Sequence, residues 1–261
     1  MDEKKKRKLI RRYFSRRGIH PLVIILALAG VGMLIFGGTN EVRLAGGIAM
    51  LVFILVIAYR ALTRPPSHAQ IDEWRTQDLE RLPDLAMKKL DLDRDDLVSD
   101  PLLVIGPVLW ETNGIPSKEL LYRVQKQKKR KTARFAVYHV TAILLTESHL
   151  GAYEADFNFL RNTYLNEHAQ EFHYQDVVSV SLREDSTNLS LPDGEKAVHA
   201  EQFRLSVSSG ENISVIVQAR ELRNLTGAEQ DTGYVENVVT AIRKKLREKK
   251  STIGNNQSGE Y

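Results

Sequence analysis

The stretch Gly18–Leu62, GIHPLVIILALAGVGMLIFGGTNEVRLAGGIAMLVFILVIAYRAL, decides how the rest of the chain is read. It holds two near-continuous apolar runs, Leu22 to Phe36 and Leu44 to Tyr59, separated by the polar segment Gly37 to Arg43. A helix needs ~20 predominantly apolar residues to cross a bilayer core, and each run with its flanks approaches that length. The pattern predicts a hairpin over 18–64 made of two transmembrane helices, at about 19–37 and 43–62. Neither run contains Asp, Glu, Lys or Arg, the groups on which ion paths and proton relays depend, so the hairpin reads as an anchor rather than a transporter. Gly30 and Gly32 in the first run, and Ala45, Gly46, Gly47 and Ala49 in the second, are small enough to let two helices pack closely.

Working outward, Lys4, Lys5, Lys6, Arg7, Lys8, Arg11, Arg12, Arg16 and Arg17 precede the first run against only Asp2 and Glu3, and Arg60 and Arg64 follow the second. Short basic flanks resist translocation. Residues 1–17 are therefore expected as a basic cytoplasmic N-terminus, both termini are placed in the cytoplasm, and the short loop alone faces the other side. A cleaved signal peptide fits less well, because a second apolar run follows at once. The averages, 43% hydrophobic and 27% charged residues with a net charge of +4, conceal this division. The absence of cysteine excludes disulfides, thiolate metal sites and cysteine nucleophiles.

Beyond Pro65-Pro66, Ile71, Trp74, Leu79, Leu82, Leu85, Met87 and Leu90 recur at roughly helical spacing, with Pro83 set to break the pattern into two short helices. Residues 65–99 are expected as a helical linker, with Trp74 an anchor onto the domain that follows. Asp91, Asp93, Asp95 and Asp96 superficially resemble a calcium loop, but counting from Asp91 the sixth residue is Asp96 where a glycine is required and the twelfth is Leu102 where a Glu belongs. They read as a solvated turn with helix-capping Asp.

From Asp100 the texture changes to short β-like runs: Leu102–Ile105, Leu120–Val124, Arg134–Thr146, Leu150–Asn158, Glu171–Leu182, Phe203–Val207 and Ile213–Val217. The last two alternate cleanly across Ser208-Ser209-Gly210-Glu211-Asn212 and predict a hairpin. Phe157–Gln170 reads as an extra polar excursion, either a protruding hairpin or a loop. An amphipathic helix follows Gly233, with Val235, Val238, Val239, Ile242 and Leu246 on one face, and residues 251–261 read as a disordered tail.

About seven strands closed by one C-terminal helix resemble the pleckstrin-homology superfold. The segment Ala142 to Tyr153, followed by Glu171 to Val180, is similar to bacterial pleckstrin-homology-like domains, in which an aromatic, acidic, Val or Ile motif opens a further strand. The resemblance implies an α+β chain in which the membrane hairpin is followed, over 100–250, by a cytoplasmic open β-barrel capped by a helix. It also implies a bacterial inner-membrane protein that binds lipid headgroups, peptides or protein partners rather than catalysing a reaction.

The seven histidines form no His-x-x-x-His pair, and no nucleophile elbow, phosphate loop or dinucleotide fingerprint is present. No catalytic residue, metal site or cofactor is expected. The surface feature with a physical mechanism is the run Arg123, Lys126, Lys128, Lys129, Arg130, Lys131 and Arg134. Beside an anionic leaflet, such charges gain about 1 kcal/mol each. The run reads either as a contact for anionic lipid or for a protein partner, or as a solvated loop. Nucleic acid ranks last, since no aromatic residue interleaves the run before Phe135. The function expected is a membrane-anchored scaffold; the alternative is a sensor or membrane-perturbing effector whose soluble domain controls oligomerisation of the hairpin.

Overall fold

The computed structural model describes residues 1–15, 21–62, 65–108, 112–127, 130–190, 196–219 and 233–257. The chain divides into two units, Met1–Ser67 and His68–Tyr261.

The first unit is helical: α1 (Glu3–Ser15), α2 (Pro21–Phe36) and α3 (Asn40–Leu62). In α1, Arg7 pairs with Glu3 one turn earlier at 2.5 Å. The turn between α2 and α3 is closed by the Arg43 guanidinium, whose Nε donates to the Gly37 carbonyl at 2.9 Å, and Thr39 Oγ1 accepts from the Val42 amide at 3.4 Å in the manner of a helix N-cap. The two helices then pack through small residues. A Cβ on Gly46 would lie 2.7 Å from the Gly30 carbonyl oxygen, and one on Gly30 would lie 3.0 Å from Ala49 Cβ, so any larger side chain forces the helices apart. Gly32 and Gly47 have nothing within 4 Å of a Cβ position, and Ala45 is exposed, so these three lie off the contact. The remaining surface is apolar and uncovered: Ile25, Leu28, Ile35, Leu44 and Leu51 are each at least 60% exposed. By length and composition the Asn40–Tyr59 part of α3 is sufficient to cross a membrane, whereas the apolar part of α2, Val23–Phe36, is shorter.

The second unit is α+β. It begins with α4 (His68–Leu79) and α5 (Leu82–Lys89), divided near Pro83 as its missing N–H requires. A 3₁₀ turn follows at Arg94–Asp96, capped by Asp93 and by Asp96, whose carboxylate accepts from the Asp93 amide at 2.8 Å. The acidic cluster is thus a capped turn. Among the described residues nine strands come next: β1 (Leu102–Pro107), β2 (Tyr122–Gln127), β3 (Arg130–Phe135), β4 (Val137–Leu145), β5 (His149–Asn158), β6 (Thr163–His173), β7 (Val177–Ser190), β8 (Lys196–Val207) and β9 (Asn212–Ala219). The chain finishes in α6 (Gly233–Gln257).

All strand pairs are antiparallel. One sheet has the order β1-β4-β5-β6, a second the order β7-β8-β9, and β2-β3 is a separate hairpin inserted between β1 and β4. The sheets are open and do not join into a closed barrel. Their inner faces share one core. Val104, Ile143, Leu145, Leu150 and Phe172 come from the first sheet, Val177, Phe203, Leu205, Val215 and Val217 from the second, and Val235, Val239 and Ile242 of α6 close the end. Where β1 meets β9, Gly106 is obligatory, because a Cβ there would run into the Ile216 carbonyl. On the outer face of the first sheet α5 lies against β5, with Leu90 Cδ1 only 2.9 Å from where a Cβ on Gly151 would sit.

Residues 68–99 belong to the second unit. The polar excursion Phe157–Gln170 forms the end of β5 and most of β6, an edge strand whose polarity reflects its exposure. The run Glu171–Leu182 is cut by a turn in which the Asp176 amide donates to the His173 carbonyl at 2.9 Å. Helix α6 continues to Gln257, past the boundary expected at residue 251.

Candidate functional site

The basic run forms the β2–β3 hairpin, and its register explains its electrostatics. Directly opposed pairs are Arg123 with Arg134, Lys126 with Lys131, and Gln127 with Arg130. Like charges directly across a ladder destabilise it, so two of these pairs need compensation from outside the hairpin. Arg134 receives it. Its Nε and Nη2 donate to the two oxygens of Asp72 at 2.8 and 2.6 Å, and its Nη1 donates to Gln125 Oε1 at 3.0 Å. This two-pronged pair is the strong form of an ion pair, and the Arg134 side chain is only 9% exposed. Arg134 is therefore a structural pin to α4 rather than a surface cation. Arg123 is half-buried. Lys128 and Lys129 lie outside the described residues, and Lys126, Arg130 and Lys131 are placed by their backbone in the ladder.

The same pin sets the hairpin's location. Asp72 lies one turn into α4, whose first residue, His68, opens the second unit. His68 has its pKa lowered by partial burial and by the nearby charges of Arg134 and Arg123. Arg75 adds a second tether: its Nη1 donates to the Tyr138 hydroxyl at 3.1 Å, and its guanidinium stands 5.5 Å over that ring. The cationic hairpin is thus rooted beside the point where the chain enters this unit.

A second feature emerges only in three dimensions. A cavity of about 400 Å³ is lined by Val108, Thr112, His139, Asp156, Gln202, Ser214 and Ile216. His139 and Asp156 are direct cross-strand partners on β4 and β5. The His139 Nδ1–H donates to Asp156 Oδ1 at 2.9 Å, while Asp156 Oδ2 accepts from Thr112 Oγ1 at 3.0 Å and from Asn166 Nδ2 at 2.7 Å. Asn166 reaches Asp156 because it adopts a left-handed backbone (φ 52°), which Asn tolerates, beside a bulge at Glu154/Asp156. Burial disfavours charge on His139, but hydrogen bonding and attraction to Asp156 and Glu154 outweigh it and raise its pKa to about 9. Burial likewise works against charge on Asp156, yet its donors, His139 first, hold its pKa below the usual range. At neutral pH the pair is an imidazolium–carboxylate, so His139 as placed holds a proton rather than accepting one and is unsuited to be a general base.

Sequence reading passed over this cluster because its members are spread from Thr112 to Ser214. The one available signal was a histidine inside the largely apolar run Val137–Leu145. Among the described residues no group of three His, Asp or Glu side chains is arranged to hold a metal ion.

Fold and site together define an α+β chain with an apolar helical pair, a cationic β-hairpin and a polar cavity between two sheets. No protein-family model matches this sequence, and comparison with curated proteins and with solved structures finds no match.

Proposed function

We propose that this chain is a membrane-anchored, non-enzymatic interaction protein of the inner membrane, with both termini cytoplasmic, in which α2 and α3 are the anchor and the β2–β3 hairpin meets anionic lipid headgroups. The supporting observation is the Arg134–Asp72 pin, which roots the cationic hairpin one turn from the start of the second unit. On this reading Lys126, Lys128, Lys129, Arg130 and Lys131 face the leaflet, each gaining about 1 kcal/mol near its surface. The continuous exposed apolar surface of α2 and α3 supports the anchor, since soluble surfaces seldom carry so large a patch.

The order of elements supports a pleckstrin-homology-like fold for the second unit: a four-stranded meander, a three-stranded meander and a C-terminal helix, with the basic hairpin as an insertion between the first and second core strands. Flotation of residues 65–261 with vesicles tests the lipid contact. Binding to vesicles carrying anionic lipid, weakening as salt rises, is expected. Absent or salt-insensitive binding replaces the lipid with a protein partner at the same hairpin.

Gly32 and Gly47 favour a second reading, in which hairpins associate and the soluble domain governs that association, because a Cβ at either position would meet nothing within 4 Å among the described residues. Cross-linking that yields only monomers in membranes removes it.

A further inference from the structure

Helix α1 divides its side chains between a face that the fold uses and a face that it leaves open. Ile10 and Tyr13 are at most 1% exposed, Phe14 is buried with its ring edge-on to Tyr13, and Lys6 and Arg7 are buried on the same side, where Arg7 pairs with Glu3. Lys4, Lys8 and Arg11 follow one another at i, i+4 and i+7 and so line the opposite face, with Lys5 beside them. All four are exposed, and among the described residues none of them has an ion pair. The stripe stands against its own electrostatics. Like charges at i and i+4 repel, as Lys4 and Lys8 do, and Lys4 and Lys5 occupy the first helical turn, where the helix dipole is itself positive. Glu3, the only acid of the helix, is committed to Arg7. An anion from outside the helix relieves both conflicts.

Chain length identifies that anion. Ser15 lies six residues before Pro21, the first residue of α2, and six residues span at most ~20 Å when fully extended. With α2 and α3 as the anchor, the reading on which this inference rests, α1 is confined to the neighbourhood of the leaflet surface. Nucleic acid is a poorer match, because the aromatic residues of α1, Tyr13 and Phe14, are buried and offer no base a stacking face. The burial of Ile10, Tyr13 and Phe14 also leaves no apolar stripe to insert between lipid tails. We infer that α1 lies along the membrane surface on the face formed by Lys4, Lys8 and Arg11, held there by anionic lipid headgroups, as a contact separate from the β2–β3 hairpin.

Two labels on that face decide the geometry. Lys4 and Ser15 are eleven residues apart, about 16 Å along the helix, and Ser15 continues the stripe without contributing charge. Lys4→Cys or Ser15→Cys is introduced singly into the full chain, which has no cysteine of its own, labelled with a fluorophore and reconstituted in nanodiscs carrying headgroup-nitroxide lipid. A helix lying on the surface has both labels quenched by about half or more in discs with anionic lipid, while zwitterionic discs or high salt reduce quenching of the Lys4 label at least about twofold. Lys5→Gln, Lys8→Gln and Arg11→Gln together keep good helix formers in place and should release that label likewise. Leu51→Cys on the exposed surface of α3, read against acyl-chain nitroxide, reports the anchor separately and should be quenched whatever the lipid charge. If the Leu51 label is quenched while the Lys4 label is not, or is quenched regardless of lipid charge, salt and the three substitutions, α1 does not rest on anionic headgroups and this inference falls alone. An unquenched Leu51 label overturns it together with the anchor.

Discussion

Arg134 shows how little a residue's type reveals about its role. In the sequence it is the last of seven cations within residues 123–134; in the fold it is buried and held by Asp72. Asp72→Asn weakens a pair that is buried on its Arg134 side and over a third exposed on its Asp72 side, and should cost about 1 kcal/mol, seen as a lower urea midpoint at unchanged slope. Arg123→Gln removes a neighbouring positive charge from His68, and NMR titration should find the His68 pKa higher than in the parent. His139 yields a pH prediction of defined sign. Its pKa of about 9 in the fold exceeds the ordinary 6.5, so the stabilisation is complete below about pH 6.5 and is lost as pH rises through 9. Unfolding measured across that window should show a decline on the order of 2–3 kcal/mol that His139→Gln flattens. None of these partnerships was legible in the sequence, because Asp72 and Arg134, like Thr112 and Asp156, are brought together by tertiary contacts that leave no local periodicity.

Elements were read well where one face is buried and the other is wet. The β8–β9 hairpin shows the expected alternation, with Leu205 opposite Ile213 and Phe203 opposite Val215, and the apolar stripe of α6 lies in the shared core. Reading left hairpin and loop both open where a strand lacks a buried face. Strand β6 is mostly exposed along its length, with Phe172 its one buried side chain, so its sequence carries no apolar alternation and resembles a loop. The free edge of β7 shows a protective device invisible in composition: Arg243 Nε donates to the Val180 carbonyl at 3.0 Å and Lys250 Nζ to the Val177 carbonyl at 2.9 Å, so two helix cations occupy groups that could otherwise template another strand. At the β1–β9 approach, Gly106→Val places atoms where the Ile216 carbonyl stands. It should cost more than about 3 kcal/mol and abolish cooperative thermal unfolding, a severity set by backbone that cannot move aside.

For the whole molecule, the division into an apolar helical unit and an α+β unit follows the boundary at Pro65-Pro66 that the sequence marks, displaced only to Ser67 and His68. The sequence also carried the overall layout, strands followed by one helix, because burial patterns in the last third of the chain are regular. It carried the docking of α4 through Trp74 alone, expected as an anchor and buried in the fold, and not through Asp72 and Arg75, whose charged side chains look solvated until they are seen to bind β3 and β4. That docking underlies the proposed lipid contact, since it fixes the cationic hairpin beside the start of the unit. The absence of native cysteine permits a direct measurement. A single cysteine replacing Lys128, labelled with a fluorophore in nanodiscs containing headgroup-nitroxide lipid, reports whether the hairpin tip lies at the membrane surface. Strong quenching in discs with anionic lipid, reduced in zwitterionic discs and by high salt, is the expected result; weak quenching that ignores both lipid charge and salt would contradict the proposed contact.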